Sequence, residues 1–107
     1  MRNIRLTLSY DGTDFNGWQT QPGFRTVQET LETALATLTG QRVRVNASGR
    51  TDAGVHAIGQ VVNVFSTTVL ATDVILRALN AHLPQDVSVC RVEDVPQSFD
   101  ANHDALE

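Results

Sequence analysis

Between Gly49 and Ala57 the chain reads Gly-Arg-Thr-Asp-Ala-Gly-Val-His-Ala, its densest run of chemically versatile side chains. Gly49 and Gly54 allow backbone angles that lift side chains away from a sheet. Arg50 and Asp52 stand two apart, so both point to one side wherever the backbone between them is extended. A guanidinium beside a carboxylate favours its ionised form. An ionised aspartate suits a nucleophile or a stabiliser of positive charge, and is wrong for a general acid. The same residues also fit a structural turn in which an Asp–Arg pair ties two strands together. Spacing alone leaves both readings open.

Metal chemistry finds little support. Asp52 and His56 stand four apart, but no third ligand follows at a recognisable spacing, and the single cysteine, Cys90, lies elsewhere. His56 reads better as a hydrogen-bonding loop residue, and His82 as a cap or dipole partner at a helix end. Ser9-Tyr10-Asp11-Gly12-Thr13 is similar to the Asp-x-Asp-Gly-Thr signature of haloacid-dehalogenase phosphatases, but Ser9 stands where that nucleophilic carboxylate belongs. A tight turn leaving a strand is the better reading. Phe15 and Trp18 put aromatics on the same stretch, where they can stack bases or pin the loop to the core.

The elements that must position these loops follow from periodicity. Ile4, Leu6, Leu8 and Tyr10 alternate with polar residues, as a half-buried strand requires. Asp11 to Arg25 is long for a connection, which marks it as functional. Thr26 with Glu29 forms a capping box ahead of a helix with Val27, Leu31, Ala34, Leu35 and Leu38 on one face, stopped by Gly40. Val43, Val45 and Ala47 predict a second strand, and Ile58 to Thr67 a third. A second helix starts at Thr72 or Asp73, buries Ile75, Leu79 and Leu83, and stops at Pro84. Val87 to about Val95 is the fourth strand. The order β-α-β-β-α-β predicts an α+β, ferredoxin-like sandwich with an antiparallel sheet and both helices on one face. An RNA-recognition motif shares this order, but the third strand, with one aromatic and no basic residue, lacks its base-reading pattern. Phe99 to Glu107 is polar and shows no turn or cap.

Composition sets the outer bounds. The 107 residues, 41% of them hydrophobic, suit an ordinary globular core rather than disorder or a membrane span. No apolar run approaches membrane-spanning length, and Met-Arg-Asn-Ile-Arg lacks the apolar core of a signal peptide. One cysteine cannot form an internal disulfide, so a reducing cytoplasmic setting is expected. Eight basic residues, all arginine, face twelve acids, giving a net charge of −4. Six of the arginines fall in residues 1–50 against four acids, whereas residues 51–107 carry two against eight. That acidity argues mildly against an autonomous nucleic-acid binder.

Several runs together resemble the tRNA pseudouridine synthase A family: Tyr10-Asp11-Gly12-Thr13, Gly17-Trp18-Gln19, Gln21-Pro22, Thr26-Val27-Gln28-Glu29, Gly49 to Ala57, Gln60-Val61, and Ala78 to Pro84. They keep the family's order over most of residues 4–95. The resemblance implies isomerisation of uridine to pseudouridine at positions 38–40 of the tRNA anticodon arm, with no cofactor and no metal. It makes Asp52 the catalytic aspartate and Arg50 its ion-pair partner. Gly49, Thr51, His56, Trp18 and Gln19 become substrate-binding residues. The carboxylate would attack the anomeric carbon, stabilise its oxocarbenium character, or attack the pyrimidine ring. The first two parallel a retaining glycosidase, and each needs the target base unstacked. tRNA and a second copy of the chain are the implied partners.

Family members continue for about another domain and a half, which supplies a Tyr that packs on the base and further basic residues. Many also carry Ala-Arg where this chain has Ala101-Asn102. The expectation is therefore an amino-terminal, aspartate-bearing domain at 1–96, inactive or nearly so alone. Residues 97–107 would begin a connection to a second domain, with 106–107 a possible cloning remnant. The competing expectation is a non-catalytic ferredoxin-like module that binds RNA or a partner subunit.

Overall fold

The computed structural model describes residues 1–104; the expectation for residues 106–107 lies outside them. Strand β1, Arg2–Tyr10, buries Ile4, Leu6, Leu8 and Tyr10 on one face, as its alternation predicts. Helix α1, Val27–Thr39, begins at Thr26, whose hydroxyl accepts from the Glu29 N–H at 3.4 Å. It ends at Gly40, which takes the left-handed conformation (φ 75°) that a side chain would resist. Strand β2, Val45–Ala47, is only three residues long. The predicted start at Val43 fails because pairing with the next strand begins at Val45, whose N–H is taken by the Glu32 carboxylate at 3.1 Å. Strand β3, Ala57–Ser66, helix α2, Thr72–His82, and strand β4, Val87–Val95, follow within a residue of their predicted bounds.

The sheet order is β2-β3-β1-β4, antiparallel throughout, so each β-α-β unit straddles a strand of the other. Both helices pack on one face. Val27, Leu31 and Leu35 of α1 meet Ile75 and Leu79 of α2 over Leu6, Leu8, Val62 and Val64, in one core of buried residues. This is the expected α+β ferredoxin-like sandwich. Two irregularities flank the end of β1: Gly59 is the extra residue opposite Leu8 and Ser9, and Cys90 the extra residue opposite Thr7 and Leu8. Such bulges sharpen local twist, here just before β1 runs into the loops of the candidate site.

The polar end of the chain corrects the expectation. Asp100 Oδ1 accepts from the Asn102 N–H at 3.0 Å and opens a single turn of helix, α3, Ala101–Asp104. The segment is tied to the sheet face away from α1 and α2 by buried carboxamides. Asn63 Nδ2 donates to Asn3 Oδ1 (2.9 Å), and Asn63 Oδ1 accepts from the Ala101 N–H (2.9 Å). Asn3 Nδ2 donates to the carbonyls of Pro96 (2.9 Å) and Phe99 (3.0 Å). Every polar atom of both asparagine side chains is thereby satisfied, which makes their burial tolerable.

Candidate active site

Two loops meet at the end of the sheet where β1 stops and β3 starts: residues 11–26 and residues 48–56. Their union is built mostly from backbone. The Trp18 N–H donates to the Thr51 carbonyl at 3.0 Å, and the Gly54 N–H donates to the Phe15 carbonyl at 3.1 Å. Two glycines make that approach possible. A Cβ on Gly12 would lie 1.9 Å from the Val55 carbonyl oxygen, and one on Gly17, at φ 86°, 2.7 Å from the Thr51 carbonyl oxygen. Only a residue without a side chain fits either position.

Side chains complete the lock. The Tyr10 and Thr51 hydroxyls lie 2.7 Å apart, and Tyr10 stacks on Trp18 at 6.4 Å between ring centroids. Burial pushes the Tyr10 phenol up from its ordinary value, with the Thr51 bond pulling the other way. Gln60 Nε2 donates to the Gly49 carbonyl at 2.5 Å, fixing the loop's entry. The Gly12 N–H donates to His56 Nδ1 at 2.9 Å, fixing its exit. That bond needs an unprotonated Nδ1, so the ring carries its proton on Nε2. Asp11 Oδ1 lies 3.2 Å from the same nitrogen, and an ion pair there would require His56 to gain a proton and give up Gly12. Asp11 also caps its own turn, and the hydroxyl and N–H of Thr13 hold its carboxyl below the usual range. His56 is thus a hydrogen-bonding loop residue, as its context predicts.

Phe15 and Trp18 are each 3% exposed. Of the two roles open to them, the structure selects pinning. Their rings are covered by the core, while Trp18 also lines one wall of a groove beside Gln19 and Thr20. Arg25 covers the Phe15 ring at 4.0 Å and pairs with Asp86 at 2.8 Å, anchoring the long loop to the start of β4. The loop's far end is held by α1, where the N–H groups of Val27 and Gln28 donate to the carbonyls of Gly17 and Trp18.

Asp52 stands exposed on this frame. Its carbonyl accepts the Val55 N–H at 3.2 Å across an Ala53-Gly54 turn, while its carboxylate makes no ion pair or side-chain hydrogen bond among the described residues. The expected ion pair with Arg50 is not closed among the described residues, and the backbone turns directly after Asp52, at Ala53-Gly54. Arg50, likewise without an ion pair among the described residues, lines a groove with Trp18, Gln19, Thr20, Arg44, Asn46 and Asn102. Gln19 is exposed, next to a Thr20 N–H that donates to Gln28 Oε1 at 3.0 Å. The loops therefore unite Gly49, Thr51, His56 and Trp18 in a scaffold, and leave Asp52, Arg50 and Gln19 free to meet a ligand. Sequence reasoning overlooked Tyr10 and the glycines 12 and 17 as parts of this scaffold. Their one signal was position, at the end of a buried alternation and inside a loop too long for a mere connection. Among the described residues no three His, Cys, Asp or Glu side chains gather as a metal site would need.

The family model described as tRNA pseudouridine synthase matches residues 7–104. A tRNA pseudouridine synthase A of Roseiflexus castenholzii is 49% identical over 106 residues, covering 99% of this chain and 39% of the relative. That of Chloroflexus aurantiacus is 50% identical over 107 residues, covering 100% and 38%. That of Methylorubrum extorquens is 48% identical over 107 residues, covering 99% and 43%. The chain thus spans about two fifths of the length of the relatives it matches. Because the match runs from β1 through both interlocked loops to α3, the chain belongs to the tRNA pseudouridine synthase family.

Proposed function

We propose that this chain supplies the catalytic carboxylate, Asp52, of an enzyme that isomerises uridine to pseudouridine at positions 38–40 of tRNA, without a cofactor. The observation that carries this reading is an exposed aspartate, its carboxylate free of partners among the described residues, on a loop whose backbone is locked at both ends. A carboxylate so held can meet the anomeric carbon of a flipped nucleotide with little reorganisation. It supports the positive charge that develops there, by bonding or by electrostatics, while the glycosidic bond breaks and uracil leaves as its anion. The base then turns and carbon 5 joins the anomeric carbon, displacing the carboxylate where it has bonded there; the carbon 5 proton departs and nitrogen 1 gains one. Arg50 is the supporting residue, two positions away and unpaired, able to swing onto Asp52 when RNA is bound. Gln19 contacts the substrate, whereas Gly49, Thr51, His56 and Trp18 act by holding the loop.

Residues 1–96 form the aspartate-bearing domain in this reading. A homodimer acting in the cytoplasm is the assembly implied by the resemblance and suits the exposed free Cys90; no described helix is long and apolar enough to cross a membrane. The test is a chimera in which this chain replaces the segment it matches in the Roseiflexus enzyme. Release of tritium from carbon 5 of labelled uridine in unmodified tRNA, within about tenfold of the relative's rate, supports the reading. A chimera that folds and binds tRNA yet releases none would make this chain a binding module instead.

A further inference from the structure

Five of the eight arginines are spent on carboxylates: Arg2 with Asp94, Arg5 and Arg91 with Glu93, Arg25 with Asp86, and Arg77 with Asp73. Arg42, Arg44 and Arg50 make no ion pair or hydrogen bond through their side chains among the described residues. In a chain with twelve acids to eight bases, three unpaired arginines along one sheet edge are a local exception. Two of them, Arg44 and Arg50, line the groove of about 280 Å³ between Gln19-Thr20 and β2. Among the described residues no carboxylate lines that groove; its other polar side chains include the neutral carboxamides of Gln19, Asn46 and Asn102. The nearby acid Glu32 is occupied, its Oε2 accepting from the Val45 N–H (3.1 Å) and from Gln28 Nε2 (3.1 Å).

We propose that this groove seats the sugar-phosphate backbone of the RNA strand flanking the target uridine, with Arg44 as its principal phosphate contact. The proposal rests on the reading of Asp52 given above, because Arg50 joins the groove to the loop that carries that residue. Unpaired guanidinium forks match phosphate oxygens in shape and charge. Neutral carboxamides offer both a donor and an acceptor; a ribose 2′-hydroxyl or a base edge can use both, whereas a carboxylate can use only the donor. The groove is thereby suited to ribonucleotides rather than to an acidic polypeptide.

The experiment is fluorescence anisotropy of the whole chain with a single-stranded RNA of anticodon-loop sequence, titrated over a range of salt. Arg44→Ala weakens binding about tenfold and flattens the log–log salt slope by about 0.7, the value of one phosphate contact on a single strand. Arg44→Lys keeps the slope and part of the affinity, and Arg77→Ala, which removes an equal charge from α2, changes neither. An Arg44→Ala protein that behaves like Arg77→Ala overturns the proposal. So does a chain without salt-dependent RNA binding, or polyglutamate competing as well as RNA. In the chimera Arg44→Ala raises KM and spares kcat, whereas Asp52→Asn removes kcat. An unchanged KM beside an inactive Asp52→Asn rejects the groove and keeps the catalytic assignment; an active Asp52→Asn rejects the assignment itself.

Discussion

The Tyr10 hydroxyl reaches from the last position of β1 into the loop before Asp52, and it does so from a 5%-exposed site. A buried hydrogen bond of this kind contributes about 0.5–1.5 kcal/mol. Tyr10→Phe keeps the ring stacked on Trp18 and removes only that bond, so its thermal midpoint falls by a few degrees. Its larger effect is on the loop: protection of the Thr51–Val55 amides from hydrogen exchange drops while that of α2 is unchanged. Equal protection in both proteins would show that backbone bonds alone hold the loop. Arg50 belongs to the same scale and makes a different prediction. Arg50→Ala lowers the chimera's turnover more than tenfold while tRNA affinity falls far less, and Arg50→Lys restores part of the rate because ammonium lacks the bidentate fork. Equal turnover of all three proteins would remove Arg50 from the mechanism.

At the scale of elements, the interlocked loops depend on absent side chains. Gly12→Ala sets a Cβ against the Val55 carbonyl, where backbone must move, and destabilises the fold by about 1–3 kcal/mol. It also displaces the Asp52 turn, so turnover falls further than stability does. Gly23, at φ 81° with nothing within 4 Å, is the comparison: Gly23→Ala pays backbone strain only and leaves activity near that of the parent. Denaturant unfolding and tritium release on the same two proteins check both statements. Asn63→Ala strands Asn3 Oδ1 and the Ala101 N–H, at about 1–3 kcal/mol for each buried group left unpaired. These features also mark how far the sequence could be read. Strands and helices were legible because one face of each is buried, so the alternation of Ile4 to Tyr10 and the stripe from Val27 to Leu35 carry the packing directly. Asn3 and Asn63 were not, because their burial depends on each other across the sheet and on the returning Pro96–Ala101 segment. The Gly49–Ala57 loop was legible through its residue types. The open Arg50–Asp52 pair was not, since two-residue spacing sets which side the residues face and not whether their side chains meet.

Across the whole molecule, ion pairs join parts distant in sequence, and they set the response to acid. Arg25 holds the Asp86 carboxyl below its ordinary 3.8, and Arg2 does the same for Asp94. A carboxyl with a depressed folded value contributes stability that is complete above the unfolded value and is lost as pH falls through the folded one. The stability of the chain therefore declines as pH drops below about 4, and Arg25→Ala flattens that decline; a parallel decline in both proteins would contradict it. The pairs are partly exposed, so each effect is modest. The same scale holds the account's central claim, that one carboxylate on a backbone-locked loop performs the isomerisation. Asp52→Asn in the Roseiflexus chimera, assayed for tritium release beside the unsubstituted chimera with tRNA binding measured on both, tests it most directly. The account predicts unchanged folding and tRNA affinity with turnover lost. Turnover within about tenfold of the unsubstituted protein, a barrier change of only about 1.4 kcal/mol, would contradict it.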